Sequence, residues 1–221
     1  MIISYRESED AALVRFAQDD DSRAFDELVR RYQSRVYRLS CGILRHEDDA
    51  AEALQDTFLS AYRDLKNFRA ESTFSTWLFR IATNASLMKY HKRRGNHVSL
   101  DQPESQNGDT APLQMPDWSA QPLEALLTAE TRGVMEAGIQ RLPVDLRTVF
   151  VLRDIERIPN AEVSAILELS VPAVKSRLHR GRVFLRDWMA RYFNDQVMPS
   201  ASHPTGQSPR RLGELTGRAA W

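Results

Sequence analysis

Three carboxylates at helical spacing form the first candidate interaction site. Asp49, Glu52 and Asp56 follow one another at steps of three and four residues, so they share one face of a helix that turns by about 100 degrees per residue. Between His46 and Tyr62 there is no Lys or Arg to neutralise them. This helix alone favours a solvated acidic face. The alternative is a self-repelling acidic surface whose repulsion a basic partner would relieve. Asp48 and Asp49 are adjacent, but no further metal ligands accompany them at a suitable spacing.

A second candidate site combines aromatic, amide and cationic side chains. Phe68 and Arg69 lie in an irregular segment, and Asn84 lies at the flank of an apolar stripe. A basic cluster follows at Lys89, Lys92, Arg93 and Arg94. Aromatic faces and nearby cations suit the unstacked bases and the backbone of single-stranded nucleic acid, and an amide could read a base edge. The alternative is that Phe68 is buried and that Asn84 makes only a local contact.

A third candidate site is a helix-turn-helix pattern over residues 160–184. A short helix is followed by a tight turn at 168–170 and a longer helix that carries Gly181 in its core stripe, where close approach is expected. Polar and basic residues occupy the exposed side of the second helix or its flanks, at Lys175, Ser176, Arg177, His179 and Arg180. This is where a recognition helix meets base edges in the major groove. Glu168 replaces the usual turn glycine and would cost about 1 kcal/mol if its φ is positive.

Catalytic and redox chemistry find little support in the sequence. It has no phosphate-binding glycine loop and no nucleophile elbow, and its five histidines lack paired metal-ligand spacing. Cys41 is the single cysteine, which excludes an internal disulfide and a cysteine-cluster zinc site. We therefore expect neither an enzyme nor a resident metal or cofactor.

The elements that must position these sites all read as helices. Apolar residues recur at steps of three and four, and no β-branched run is bounded by hairpin turns. The expected helices lie near residues 8–18, 22–44, 47–65, 74–93, 123–140, 144–155, 160–167 and 171–192. Asp48 is a candidate helix start, and two core stripes are predicted. They are Ala51, Leu54, Phe58, Ala61, Tyr62 and Leu65 in the first helix, and Phe74, Trp77, Leu78, Ile81, Ala85 and Met88 in the next. The predicted fold class is all-α.

Charge and composition divide the 221-residue chain into two small helical domains. The net charge is zero, but residues 80–94 hold five bases and no acid, whereas 96–122 holds four acids, no base and four prolines. We predict a first domain over 1–95, a flexible acidic linker over 96–122, a second domain over 123–195 and a disordered tail over 196–221. No apolar run approaches the roughly 20 residues of a membrane span, and no signal pattern precedes residue 10, so a cytoplasmic location without membrane insertion is expected.

With all three sites in this order, the chain resembles a bacterial RNA polymerase sigma factor of the extracytoplasmic-function (ECF) class, the two-domain minimal type. The resemblance covers about residues 22–94 and 123–192. The most specific strings are Asp49-Ala-Ala-Glu-Ala-Leu-Gln-Asp-Thr-Phe58, Phe74-Ser-Thr-Trp-Leu-Phe-Arg-Ile-Ala-Thr-Asn84 and Val174-Lys-Ser-Arg-Leu-His-Arg-Gly-Arg182. The departures are Glu168 at the turn glycine, Pro159-Asn160 at the preceding helix start, and the tail.

The resemblance implies a division of labour between the sites. Asp49, Glu52, Gln55 and Asp56 would dock on basic clamp helices of core RNA polymerase. Phe68, Arg69 and Asn84 would capture a flipped base of the minus-ten promoter element and assist melting, with the cluster from Lys89 to Arg94 on the backbone. The helix from residue 171 would read the minus-thirty-five element. An anti-sigma factor is an expected partner.

Two other functions remain open at this point. A stand-alone helix-turn-helix regulator would bind DNA without polymerase, but it leaves the basic aromatic first domain without a purpose. A helical adaptor or anti-sigma-like protein would bind only protein, and two separate basic patches disfavour it.

Overall fold

A computed structural model describes residues 5–95 and 129–197 of the chain, with side chains over 5–93 and 133–193. Regular structure within these ranges is helical, and none of the described residues lies in a strand. The expected all-α fold class is confirmed. The predicted linker at 96–122 lies outside the described residues, and so does the predicted tail apart from residues 196 and 197.

The first half of the chain forms four α-helices and two short 3₁₀ turns. The α-helices are α1 (Asp10–Gln18), α2 (Ser22–Leu44), α3 (Glu47–Asp64) and α4 (Phe74–Gly95), and the 3₁₀ turns are Tyr5–Glu7 and Leu65–Asn67. The expected boundaries differ by at most two residues because capping signals flank each apolar pattern. Asp48 does not start α3. His46 caps it instead, with Nδ1 accepting from the Asp49 amide at 3.4 Å.

The second half comprises α5 (Ala129–Arg141), α6 (Val144–Phe150), α7 (Asn160–Leu167) and α8 (Val171–Val197). Residues 144–155 are not one α-helix, because α6 continues as a π-helical turn over Val151–Ile155. The close helix contact expected at Gly181 is found at Gly138 instead. A Cβ there would meet Leu146 at ordinary distances of 3.7 Å and more, whereas a Cβ on Gly138 would lie 2.6 Å from the Trp188 ring.

Apolar side chains from both halves join in one continuous core. In the first half, α2 contributes a row of fully buried side chains to this core, at Leu28, Val36, Leu39 and Ile43. In the second half Val149, Leu152, Val163, Ile166 and Val174 belong to the same cluster. The contacts run from α6 and the π-helical turn to α2, and from α7 to α4. The second half therefore packs directly on the helices that carry the first-half sites.

The predicted stripes of α3 and α4 are partly wrong. In α3 the buried positions are Ala50, Ala53, Thr57, Ala61 and, just beyond, Leu65, whereas Tyr62 is 57% exposed and Ala51 is also exposed. Small side chains mark the buried face here because α3 packs against both α2 and α4, so a stripe chosen by large side chains misses it.

In α4 the buried row runs through Leu78, Phe79, Ala82, Thr83 and Ser86. Met88 lies two residues beyond Ser86, which rotates it by about 200 degrees to the outer face. It is 74% exposed. The apolar row that includes Met88 thus does not continue into the core at the end of α4.

No helix within residues 5–95 and 129–197 is both long and apolar enough to span a bilayer.

Candidate nucleic-acid and protein interfaces

The acidic face of α3 comprises Asp49, Glu52, Gln55 and Asp56. All four lie off the buried row, and Glu52, Gln55 and Asp56 are exposed to solvent. Asp49 is half-buried near the helix start, where its charge is favoured by the helix dipole. The four side chains therefore form one accessible polar surface without disturbing the core.

These acids are neutralised from a neighbouring helix, contrary to the expected unrelieved repulsion. Lys89 Nζ lies 2.9 Å from carboxylate oxygens of both Glu52 and Asp56, and Arg93 Nη1 lies 2.8 Å from Asp49. Hydrogen bonds to Glu52 and Asp56 raise the pKa of Lys89 above its ordinary value, so it stays protonated. The prediction failed because the neutralising bases are about 40 residues away in sequence but one helix away in space.

The irregular segment between α3 and α4 is held by an aromatic cluster at its start. The ring centroid of Phe68 lies 4.9 Å from that of Trp77 and 6.3 Å from that of Phe74. Phe68 is half-buried, while Arg69 is exposed. Ala70 has a positive φ of 55°, which turns the chain sharply after Arg69. The cluster fixes Phe68 and projects the next residues outward.

The outer face of α4 carries the remaining candidates of the second site. Asn84 and Lys92 are exposed, and Met88 joins them on the solvent side. Lys89 and Arg93 are instead turned toward α3 and its acids. The side chain of Arg94 lies outside those that the structure describes.

The helix-turn-helix has the geometry expected from its sequence. Pro159 precedes α7, and Glu168 ends α7 in the left-handed region with φ 55° and ψ 37°. Its positive φ is confirmed, and a non-glycine residue in this region carries a backbone cost of about 1 kcal/mol. Ser170 Oγ accepts from the Ala173 amide at 3.3 Å in the first turn of α8. Val174, Leu178 and Leu185 face the core.

The first turns of α8 present their polar side chains to solvent. Lys175, Ser176 and Arg180 are exposed, whereas Arg177 and His179 are half-buried at the flanks. Within the described residues no carboxylate pairs with Lys175 or Arg180. This end of α8 therefore offers unneutralised cations beside a hydroxyl group.

A buried carboxylate joins the two halves. Glu156 follows the π-helical turn, and its side chain is 1% exposed. Arg35 Nε and Arg38 Nε donate to its two carboxylate oxygens at 3.0 Å and 3.2 Å, and Arg35 Nη2 also donates to its backbone oxygen at 3.1 Å. Beside it Val151 packs on Gly42, where a Cβ would lie 2.9 Å from a Val151 methyl carbon. We call this contact the Glu156 seam.

The helix-turn-helix also touches α4 directly. The Thr76 hydroxyl donates to the carboxylate of Glu162 on α7, and Arg80 pairs with Glu168 at the turn. The turn between α7 and α8 thus lies against the helix that carries Asn84.

One buried cation next to these contacts is incompletely paired. Arg147 on α6 is 1% exposed, and its guanidinium lies 5.5 Å from the ring centroid of Tyr90. Nη1 donates to the Gln140 carbonyl at 3.2 Å, while Nε and Nη2 have no hydrogen-bond partner among the described residues. Burial and the charge of Arg45 lower the pKa of Arg147 to about 10. A buried cation without a carboxylate partner lowers the stability of the packing that buries it.

Family models match both halves of the chain. Residues 28–96 match Sigma-70 region 2, and residues 132–185 match Sigma-70, region 4. The RNA polymerase sigma-H factor of Pseudomonas aeruginosa is 33% identical over 180 residues, covering 80% of this chain and 91% of that protein. The ECF RNA polymerase sigma factor SigW of Bacillus subtilis is 32% identical over 166 residues, covering 75% of this chain and 89% of that protein. The chain belongs to the ECF class of RNA polymerase sigma factors.

Two solved structures share the fold of this sigma factor. CnrH in complex with the cytosolic domain of CnrY is 27% identical, with a TM-score of 0.59, and the match covers 82% of this chain and 97% of CnrH. The sigma factor RpoE of Bartonella quintana, in complex with the anti-sigma factor NepR, shares the fold at 19% identity, with a TM-score of 0.55 over 75% of this chain and 96% of RpoE.

The sigma factor therefore binds core RNA polymerase and promoter DNA and directs the polymerase to promoters. Its region 2 match contains α3, the following loop and α4, and its region 4 match contains the helix-turn-helix. The sigma factor family is not a family of catalytic enzymes.

Sequence reasoning about this sigma factor missed Glu156, Arg147 and Gln18. Gln18 hydrogen-bonds the backbone oxygens of Leu65 and Phe68, at the start of the loop between α3 and α4. Each of these residues acts through partners more than 40 residues away or through burial between the halves. The local apolar period carries no signal for such pairings.

Proposed function

We propose that this sigma factor uses three separate surfaces: the acidic face of α3 for core polymerase, the loop and outer face of α4 for the minus-ten element, and the start of α8 for the minus-thirty-five element. The observation that carries the proposal is the helix-turn-helix, whose second helix exposes Lys175, Ser176 and Arg180 without acidic partners among the described residues. Side chains at this position of a recognition helix reach base edges in the major groove.

The α3 surface is suited to a basic protein partner. Glu52, Gln55 and Asp56 are exposed. Lys89 pairs with Glu52 and Asp56, and 22% of its side chain is exposed. Because the two carboxylates face solvent, their attraction to Lys89 is screened, and a basic clamp of core polymerase can compete with Lys89 for them.

The α4 surface is suited to a separated DNA strand. Asn84 is exposed and can hydrogen-bond a base edge, Lys92 can contact phosphate, and the exposed Arg69 follows the half-buried Phe68 in the chain. Arg94 extends the basic cluster in sequence. Capture of an unstacked base at this surface would favour the melted promoter and so assist opening.

We assign the packed arrangement to the chain when it is not bound to polymerase. The two promoter elements are separated by about 25 base pairs, or roughly 85 Å of duplex. The Arg80–Glu168 pair instead places the helix-turn-helix turn against α4. The Glu156 seam must open before α4 and α8 can reach both elements at once.

An anti-sigma factor is the regulatory partner that we propose. CnrH is solved with the cytosolic domain of CnrY, and the Bartonella RpoE with NepR. A protein that stabilises the packed arrangement would keep the promoter-binding surfaces together and prevent initiation. We further propose that the chain acts in the cytoplasm and has no catalytic activity of its own.

Run-off transcription and gel shifts test this proposal together. With purified core polymerase, the chain should direct specific initiation from genomic promoter fragments, and K175A/R180A should abolish it. R186A on the same helix is the matched control, since Arg186 is exposed but pairs with Asp187. The isolated chain should bind duplex DNA weakly. Nanomolar, sequence-specific binding without polymerase would instead support a stand-alone regulator.

A further inference from the structure

The loop between α3 and α4 is anchored from a distant helix by a single amide. Gln18 is the last residue of α1, and its Nε2 donates to the backbone oxygens of Leu65 and Phe68, at 2.9 Å each. A primary amide carries two N–H groups on one nitrogen, so it can satisfy both carbonyls at once. The two bonds span the 3₁₀ turn Leu65–Asn67 that leads into the loop.

The other end of the loop is anchored as well. Thr73 caps α4, because its Oγ1 accepts a hydrogen bond from the Thr76 amide at 3.2 Å. The same oxygen lies 2.8 Å from the Thr76 hydroxyl oxygen. Between these anchors, residues 69–72 are exposed to solvent. The loop is thus fixed at both ends and leaves an accessible centre.

We propose that Gln18 is a positioning residue for minus-ten capture, because it holds the backbone on both sides of the turn that precedes Phe68 and Arg69. This inference rests on the proposed role of the loop in binding a flipped base. A loop that is ordered before it meets DNA loses less conformational entropy on binding, which raises its affinity for the separated strand. Gln18 itself does not touch DNA.

One neighbouring contact shares part of this anchor, because the Phe68 amide donates to the Leu65 carbonyl at 3.0 Å and closes the turn on itself. Gln18 adds the tie from α1 to both carbonyls. Lys66 and Asp20 form an ion pair at 2.7 Å, but both side chains are exposed, and such pairs contribute little. The aromatic contacts of Phe68 hold its ring, whereas Gln18 holds its carbonyl. Removing the amide would therefore loosen the backbone while leaving the aromatic cluster in place.

Three full-length variants, assembled with core polymerase, test the role of Gln18. Q18M has a side chain of similar length but lacks both N–H donors. Q18K restores N–H donors at this position. Q33M is the matched control, because Gln33 is exposed on α2 away from the loop. The measurements are core affinity, thermal unfolding, open-complex yield by permanganate footprinting, and discrimination among base substitutions in the non-template minus-ten strand.

We expect Q18M to lower open-complex yield and minus-ten discrimination by about tenfold, as for the loss of two hydrogen bonds. Core affinity should match that of Q33M. The unfolding temperature should fall by only the few degrees expected for the loss of two hydrogen bonds, and Q18K should recover most of the loss. A loss of core affinity as large as the loss of discrimination would overturn the inference, because it would reveal a merely structural role. Unchanged discrimination in Q18M would also overturn it.

Parallel substitutions of Asn84 and Phe68 separate this inference from the proposed function. If N84A and F68A reduce minus-ten discrimination and Q18M does not, the loop binds DNA without the help of Gln18. If none of the three changes discrimination, the proposed minus-ten surface is itself wrong.

Discussion

The two basic surfaces of the chain differ in what surrounds their charges. On α4, Lys89 and Arg93 are paired with carboxylates of α3. On α8, Lys175 and Arg180 extend into solvent, and no acid among the described residues pairs with either of them. In the sequence, residues 80–94 and residues 171–191 each carry an excess of five positive charges. A count of charges therefore does not measure how much charge is available to DNA.

In the first half the difference links polymerase binding to DNA binding. The cations at the start of α8 have no such link to an acidic surface. The acids that we assign to polymerase are the same ones that hold Lys89 and Arg93. If the polymerase clamp binds the acids, these two cations become free for the DNA backbone, and by linkage DNA binding should strengthen the hold on polymerase. Lys175 and Arg180 at the start of α8 need no such release from an acidic partner among the described residues.

Reversing the acidic face should produce the largest effect. The triple variant D49K/E52K/D56K should lower core-polymerase affinity by at least about 100-fold, because it removes attraction and adds repulsion toward a basic clamp. Fluorescence anisotropy with labelled chain measures the affinity, and circular dichroism checks that the helices remain. The control is D19K/D26K/E136K, which changes net charge equally at exposed acids elsewhere. Equal losses in both triples would refute a localised polymerase surface.

The second prediction contrasts Arg180 with Asn84. R180A should weaken binding to the duplex promoter by about 5- to 150-fold, the range expected for a lost base contact of about 1–3 kcal/mol. A pre-opened bubble should not restore the loss. N84A should lower open-complex yield by about tenfold, and the bubble should rescue most of that defect because strand separation is already supplied.

Permanganate footprints and polymerase gel shifts on both templates measure this contrast. R186A is the control for α8 and Q33M for the first half. The same pattern for R180A and N84A on the two templates would show that duplex reading and melting are not divided between the two surfaces.

The smallest expected effect comes from releasing Lys89. In E52Q/D56N the isolated chain should bind single-stranded DNA about fivefold more tightly, since the variant removes two ion pairs of Lys89 that contribute about 0.5 kcal/mol each. The salt dependence should steepen by about 0.7 in logarithmic slope for one freed cation. E47Q/D48N makes the same charge change on α3 at acids that have no partner on α4 among the described residues. If this control gains as much affinity, the effect arises from net charge and not from Lys89.

The helices and their order were predictable from the sequence because each depends on local periodicity and capping. The π-helical turn after α6 was not, since it continues the apolar pattern of the preceding helix. The buried face of α3 was misassigned because Ala53 and Thr57 mark it better than larger side chains. Local spacing defined the acidic face itself correctly, but only the packing of α4 beside it revealed Lys89 as its partner.

Long-range contacts account for the rest of what sequence reasoning could not supply. Glu156 is an ordinary acid in sequence, and its burial between Arg35 and Arg38 depends on how two segments about 120 residues apart dock. The domain boundaries at 95, 122 and 195 remain predictions.

Arg147 gives the packed arrangement a built-in instability. Arg147 is buried with one carbonyl partner and Tyr90 in place of a carboxylate, so the desolvation of its charge is only partly offset and lowers the stability of the packed arrangement. Such a cost raises the fraction of molecules that are already open at equilibrium. Because a ligand that binds only the open form has its apparent dissociation constant divided by that fraction, polymerase loses less of its affinity to opening the chain than it would if Arg147 were a well-packed leucine.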